Sequence, residues 1–263
     1  VSELDSLHQI VLHVGREAWR SCHTASIDLH RVGTILAAIA LPTDSASAIA
    51  RKVLGAAFAE KLLGKMMPPE SAALTPNQAL ASRVTGFPAA ILAKALRLGG
   101  GSYTLDAACA SSLYAVKLAC DELLSHRADA MLAGGVSRPE SLYTQVGFSQ
   151  LRALSPTGRC APFDESANGL VVGEGAGILI LKRLEDARRH GDTIYGLIRG
   201  IGLANDLDGS LLSPDSEGQL RAMRKAYAAA GWLPADVELI ECHGAGTPLG
   251  DRTELSSLRA LWG

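Results

Sequence analysis

The sequence predicts an α/β fold made of two similar halves, and three observations lead there. Strand–helix–strand order reads out in both the earlier and the later part of the chain. Small residues dominate, with 27 glycines and abundant alanine, while aromatics are only 5%. So little bulk means elements packed backbone to backbone, as in the core of a layered structure. Finally, 263 residues exceed an ordinary domain of ~100–200 residues and can bury a core without disulfides or a structural metal.

The elements follow in order. Leu4, Leu7, Val11, Val14 and Ala18 recur at helical spacing, predicting an amphipathic helix that ends near Arg20. Val32–Leu41 reads as a buried strand closed by Pro42, and Asp44 or Ser45 caps a second helix running to about Leu63. A loop is expected at Met66–Pro69. Thr75–Leu98 reads as helical, with Gly86 and Pro88 expected to break or kink it. Gly99-Gly100-Gly101 is the strongest stop signal in the chain. Ser102–Asp106 is a short strand, followed by the almost bulk-free Ala107–Ser112. Leu113, Val116, Cys120 and Leu124 then continue at helical spacing. Ala130–Ala133 is a further strand, ended by Gly134-Gly135.

Leu170–Leu181 reads as a strand with Gly173, Gly175 and Gly177 at period two. A dinucleotide fingerprint would need a helix after those glycines, but Ile178-Leu179-Ile180-Leu181 follows. Close sheet packing is the expected role of the glycines. The second half opens with a strand over Thr193–Leu203, a loop with Asn205 and Asp206, and a helix over Glu217–Ala230. A strand at Val237–Cys242 and a helix from about Thr253 to Leu261 close it. The expected division is therefore residues 1–192 and 193–263.

Composition excludes several function classes. Net charge is −2, from 25 basic and 27 acidic residues spread without blocks, so the electrostatic footprint of a nucleic-acid binder is missing. A hydrophobic content of 48% rules out disorder. The longest apolar runs, such as Thr34–Pro42, are too short to span a bilayer. Five cysteines without a CxxC pair, and no signal peptide, favour free thiols in a reducing cytoplasm. The chain begins at Val1 without Met and stops one residue past a helical pattern, so both ends read as cuts from something longer.

Two residues stand out for chemistry. Cys109 sits where a strand turns into a helix, and a helix amino terminus favours the nucleophilic thiolate. Its small neighbours leave room for an acyl group, and nearby amides can hold an oxyanion. The bland alternative is a small packing residue among alanines. His243 lies at the carboxyl end of a predicted strand, where ligands of α/β sheets collect. Alone, a histidine at a strand end is more often a hydrogen-bonded structural residue. Together, thiol and imidazole are what acyl transfer through a thioester needs. His8, His13, His23, His30, His126 and His190 read as surface residues. Cys242-His243 as a metal pair is disfavoured, because adjacent strand residues point to opposite faces and no second pair completes a tetrahedral site.

Asp106-Ala107-Ala108-Cys109-Ala110-Ser111-Ser112-Leu113 resembles the nucleophile motif of β-ketoacyl synthases, and Glu241–Asp251 (ECHGAGTPLGD) resembles their first histidine motif. Leu154–Asp164 (LSPTGRCAPFD), Gly173-Glu174-Gly175 and Ala133-Gly134-Gly135-Val136 match further family segments, in the family's order and spacing. The style is that of the ketosynthase domains of polyketide and polyunsaturated-fatty-acid synthases. The resemblance implies a thiolase-like, layered αβαβα fold built from two βα halves, normally a homodimer, with the second half truncated in this chain. It implies that Cys109 accepts the growing chain from the phosphopantetheine arm of an acyl carrier protein, and that no cofactor is bound by the domain itself. By the same match, His243 assists decarboxylation of malonyl carrier protein before a Claisen condensation, and Thr247 contacts the arm. Ala245 replaces a threonine usual in the family, which removes one hydroxyl contact to the arm. The family's second catalytic histidine, its lysine and its glycine-rich loop lie beyond Gly263, so residues 1–263 alone are expected not to condense. Other domains of a multidomain synthase are the expected companions, with neither nucleic acid nor membrane as partner. Two other functions stay open: a non-elongating domain that binds or passes on acyl carrier proteins, and a Cys–His thioester hydrolase.

Overall fold

The computed structural model describes residues 4–24, 27–39, 52, 55–64, 85–138, 142–208 and 213–263. Contacts divide the chain into two compact units, Val1–Gln145 with Gly173–Tyr195, and Val146–Val172 with Gly196–Gly263. Residues 146–172 thus pack with the later residues rather than with the sequence that surrounds them.

The first unit is built on a four-stranded sheet: β1 (Val32–Ala37), β2 (Ser102–Leu105), β3 (Ala130–Ser137) and β4 (Gly175–Leu181), in the order β2-β1-β3-β4. The first three strands are parallel, and β4 runs antiparallel to β3. Parallel strands need both faces covered, and both are. Helices α1 (Ser6–Arg20) and α3 (Phe87–Leu96) lie on one face, where Leu7, Val11 and Leu92 meet Val32, Leu36, Leu132 and Ile178. Helix α4 (Ser111–Leu124) covers the other, bringing Ala115, Ala119 and Leu123 onto Ile35, Met131 and Ala133. The alanines of α4 let its backbone approach the sheet closely, which is where the low bulk of the sequence is used.

Several boundaries differ from the sequence expectation. β1 ends at Ala37 rather than Leu41, level with the last residue of its neighbour β2, whose Leu105 carbonyl accepts the Ala38 amide. The described helix begins at Phe87: Gly86 is the cap of α3 and Pro88 lies in its first turn, where a missing N–H is harmless. β3 does not stop at Gly134-Gly135 but continues through them to Ser137. A Cβ at Gly134 would overlap the Gly177 carbonyl oxygen, so glycine is what allows β4 to pair there. At Gly173, Gly175 and Gly177 themselves a Cβ would meet nothing within 4 Å; the close approach expected of them falls on the opposite strand. The strand expected from Leu170 begins only at Gly175. The early part of the helix expected to end at Leu63, the loop Met66–Pro69 and most of the Thr75–Gly86 stretch lie outside the described residues. What is described of the former is α2 (Ala56–Leu63).

Two further helices occur where the apolar pattern predicts none. α5 (Leu142–Gln150) follows β3, and α6 (Leu184–His190) follows β4. His8 is not a surface residue: it is 2% exposed and its ring meets Phe87 edge-on at 4.7 Å. Burial lowers its pKa, partly offset by Asp5. Its place on the inner face of α1 overrides its polarity. A network of charges ties the amino-terminal ends of β1 and β3 to α6. Arg31 Nε donates to Asp129 Oδ2 (2.6 Å), Arg183 donates to Asp129 Oδ1 (2.6 Å) and Asp186 Oδ2 (2.6 Å), and Arg183 also donates to the carbonyls of Leu123 and Ala128. Hydrogen bonding to Arg31, then to Arg183, holds the Asp129 carboxyl down at about 2 against its desolvation.

The second unit is organised on two long helices, α7 (Ser216–Ala230) and α8 (Pro248–Trp262). Tyr227 of α7 meets Trp262 of α8 at 5.6 Å. Ser257, fully buried, donates or shares bonds with Ser216 Oγ, Gln219 Oε1 and the Thr253 carbonyl. The strands expected at Thr193–Leu203 and Val237–Cys242 are not in a sheet among the described residues. Their apolar residues suit strands, but a ladder also needs a neighbour, and Tyr195 and Leu239 instead stand 85% and 84% exposed.

Candidate active site

Cys109 is exposed, on the turn between β2 and α4. Ala108 just before it has φ 51°, a left-handed conformation that costs a residue with a Cβ ~1–2 kcal/mol. The turn is held in place by short polar side chains. Asp106 Oδ1 accepts the Ala108 amide (2.9 Å), and Ser111 Oγ accepts the Ala107 amide (2.7 Å) while donating to the Ala108 carbonyl (2.6 Å). Ala110 caps α4 without a side-chain bond. The thiol therefore projects from a fixed elbow beside the amino terminus of a 14-residue helix, where amides and helix dipole favour negative charge. Cys22, Cys120 and Cys242 are partly buried, and burial pushes each of their thiols up.

His243 is exposed and lies in a loop whose backbone is pinned by the helix that follows it. Gly244 and Gly246 take φ 53° and 73°, conformations that glycine adopts without strain. Glu254 of α8 accepts the amides of His243 (Oε1, 2.7 Å) and Gly244 (Oε2, 2.9 Å). Asp251, one turn earlier and 5% exposed, accepts the amides of Gly246 (3.1 Å) and Phe163 (2.7 Å). Gly246 in turn gives its carbonyl to the Gly169 amide (3.0 Å), so the loop is seated on residues 161–169. Thr247 caps α8, Pro248 follows in its first turn, and Ala245 and Thr247 are both half-buried.

Of the residues that the sequence singles out, Cys109 falls in the first unit and His243, Ala245 and Thr247 in the second. Asp251 closes the histidine motif without being given a role there, and Glu254 lies beyond it; these are the groups that hold the histidine loop. Their i, i+3 spacing on a helix directly after a glycine-rich loop is the signal that could have found them. Among the described residues no group of three or more His, Cys, Asp or Glu side chains is placed to hold a metal ion, and no helix is long and apolar enough to cross a membrane.

Comparison with known proteins gives this geometry a family. Residues 1–187 match the family described as "Beta-ketoacyl synthase, N-terminal domain", and residues 195–263 the one described as "Beta-ketoacyl synthase, C-terminal domain". The chain is 33% identical over 269 residues to a polyunsaturated fatty acid synthase polypeptide of a Thraustochytrium species, covering 99% of this chain and 13% of that protein. It is 43% identical over 169 residues to a phenolphthiocerol/phthiocerol polyketide synthase polypeptide of Mycobacterium tuberculosis, covering 64% of this chain and 9% of that one. Among solved structures, the PfaC keto synthase–chain length factor superposes with a TM-score of 0.85 at 39% identity, over 99% of this chain and 29% of that one. A type II polyketide ketosynthase in complex with its acyl-carrier protein (AntDE:AntF) gives 0.84 at 26% identity, over 98% and 63%. The chain thus spans a minor part of the curated synthases it matches, and its fold is the thiolase-like fold of ketosynthases. With both domain descriptions matched in succession, the chain belongs to the β-ketoacyl synthase family.

Proposed function

We propose that this chain carries the acyl-accepting cysteine and the first histidine of a β-ketoacyl synthase that extends acyl groups by decarboxylative Claisen condensation. The Cys109 thiolate attacks the thioester of an acyl group on a carrier protein's phosphopantetheine arm; the C–S bond to the arm breaks and its thiol leaves. Malonyl carrier protein then loses CO₂, and the enolate left behind attacks the acyl carbon. The new C–C bond expels Cys109 as thiolate. His243 donates a hydrogen bond to the enolate oxygen, and Thr247, at the start of α8, contacts the arm. Residues 1–192 and 193–263 are the two halves that contribute nucleophile and histidine. The whole protein is taken to be a cytoplasmic, homodimeric, multidomain synthase that binds no cofactor in this domain.

One observation carries the reading: an exposed thiol on a strained elbow at a helix amino terminus. A packing cysteine needs neither exposure nor a left-handed neighbour. The solved relative caught with an acyl-carrier protein and the synthase relatives supply the substrate class. The test is to mix residues 1–263 with an acyl-pantetheine thioester and follow the chain by mass spectrometry. A stable acyl adduct on Cys109, absent in Cys109→Ala, supports acyl acceptance; turnover to free acid with no adduct would favour the hydrolase reading instead. Condensation, followed as ¹⁴CO₂ release and ketoacyl product, is expected only when added protein covers the exposed apolar residues such as Tyr195 and Leu239.

A further inference from the structure

We propose that Glu254 is a positioning residue, whose carboxylate sets the direction of the His243 imidazole by holding the backbone on both sides of it. This rests on the proposed role of His243. The loop offers consecutive amide donors at His243 and Gly244, and both point at one carboxylate, one to each oxygen, at 2.7 and 2.9 Å. An ionised carboxylate is the one side chain that accepts at two oxygens at once, and such charge-assisted bonds are about twice as strong as neutral ones. Gly244 is left-handed, so the chain reverses just after His243, and without the clamp the soft dihedrals at the glycine leave the ring free to swing.

The clamp is itself anchored. Asp251, Glu254 and Ser257 follow at i, i+3 and i+6 along α8, on one face of the helix. Asp251 holds Gly246 and the 161–169 loop, while Ser257 fixes α8 to α7 through Ser216 and Gln219. Glu254 therefore sits between two fixed points and does not need its own packing partner. Asp251 serves the fold, since it is buried and joins two loops; Glu254 serves the histidine, since its two bonds go to residue 243 and its neighbour.

Glu254→Gln is the informative change. The amide is isosteric, but it presents one acceptor oxygen and an NH2 group with two donors, so one loop amide faces a donor. Hydrogen exchange of residues 1–263, read by NMR, should speed up ~10-fold or more at His243 and Gly244, while Gly246, held by Asp251, keeps its rate. Glu254→Asp keeps the carboxylate and should fall between. Equal acceleration at Gly244 and Gly246, or none at either, would overturn the proposal. Malonyl-pantetheine decarboxylation gives the second readout: Glu254→Gln should lower kcat by up to ~10²-fold, as misplacement of a catalytic group does, with KM nearly unchanged. If His243→Ala abolishes decarboxylation but Glu254→Gln does not lower it, positioning is refuted while the role of His243 stands. If His243→Ala is without effect, the reading of His243 falls instead. Where decarboxylation is below detection, the exchange pattern alone decides.

Discussion

Ser111→Ala tests how the Cys109 elbow is held. The substitution removes one oxygen that accepts the Ala107 amide (2.7 Å) and donates to the Ala108 carbonyl (2.6 Å). The carbonyl keeps a partner, because it also accepts the Ser111 amide at 3.1 Å. The amide of Ala107 loses the bond shown for it. Ser111 is 8% exposed, so water does not readily replace the hydroxyl, and an orphaned amide of this kind costs ~1–3 kcal/mol. For a chain of this size that corresponds to a melting temperature lower by ~2–4 °C per kcal/mol. The left-handed Ala108 is then free to relax, and Cys109 should lose its fixed direction. Thermal melting by circular dichroism reads the first effect; the rate of alkylation at Cys109, resolved by peptide mass spectrometry, reads the second. Ser112→Ala is the control, since Ser112 is exposed and its change should stay within ~0.5 kcal/mol. If the two variants melt together and label at the wild-type rate, the elbow is not held by Ser111 and the reasoning fails.

Four other outcomes are expected. Limiting iodoacetamide should label Cys109 first, since burial raises the thiols of Cys22, Cys120 and Cys242 and Cys160, though exposed, is not at a helix start; first labelling of Cys22 or Cys160 would contradict the assignment. Gly134→Ala should destabilise by ~3 kcal/mol or more, beyond ordinary overpacking, while Gly177→Ala on the neighbouring strand should melt like wild type. Asp129, held down to about 2, adds stability above its unfolded value near ~3.9 that is lost as pH falls through the folded one. At 34% exposure screening leaves ~1 kcal/mol, and Asp129→Asn should flatten the acid limb of a denaturation curve between pH ~4 and ~2. Ala245→Thr should lower KM for carrier-bound malonyl substrate ~2–10-fold with little change in kcat, because a hydroxyl remote from the reacting carbon adds mainly uniform binding; an unchanged KM would place Ala245 away from the arm.

Features that depend on local periodicity are legible in the sequence. Leu7 and Val11 mark α1, and Leu113, Val116, Cys120 and Leu124 mark α4, because a helix repeats its own pattern. The elbow is legible because Cys109 lies between two such patterns. Contacts between distant segments are not. Nothing near Gly134 announces that Gly177 will pass against it, so the glycine pair reads as a stop. The α6 helix carries no apolar repeat long enough to mark it, although Glu185 and Asp186 at its start and Arg188, Arg189 and His190 at its end match the helix dipole. The apolar stretches at Thr193–Leu203 and Val237–Cys242 read as strands but are assigned none, because whether such a segment joins a ladder depends on a neighbour that its own sequence does not describe.

The two candidate loops are built on one device. In each, the candidate residue precedes a helix, and the early turns of that helix send side-chain oxygens back to the loop's amides: Ser111 of α4 to Ala107, Asp251 and Glu254 of α8 to Gly246, Gly244 and His243. In each, a left-handed residue lies next to the reactive one, Ala108 before Cys109 and Gly244 after His243. A left-handed residue turns the chain sharply and so exposes its neighbour, but it also leaves amides that no ladder satisfies. The side chains from the helix supply the missing acceptors. The strengths differ in a direction that fits the two roles. In the role proposed for it, the Cys109 thiol is located by the covalent bond it forms, and the Ser111 hydroxyl with one oxygen of Asp106 holds its elbow well enough. In the role proposed for it, His243 acts only through a hydrogen bond and must be aimed beforehand, and it is the one held by a bidentate carboxylate.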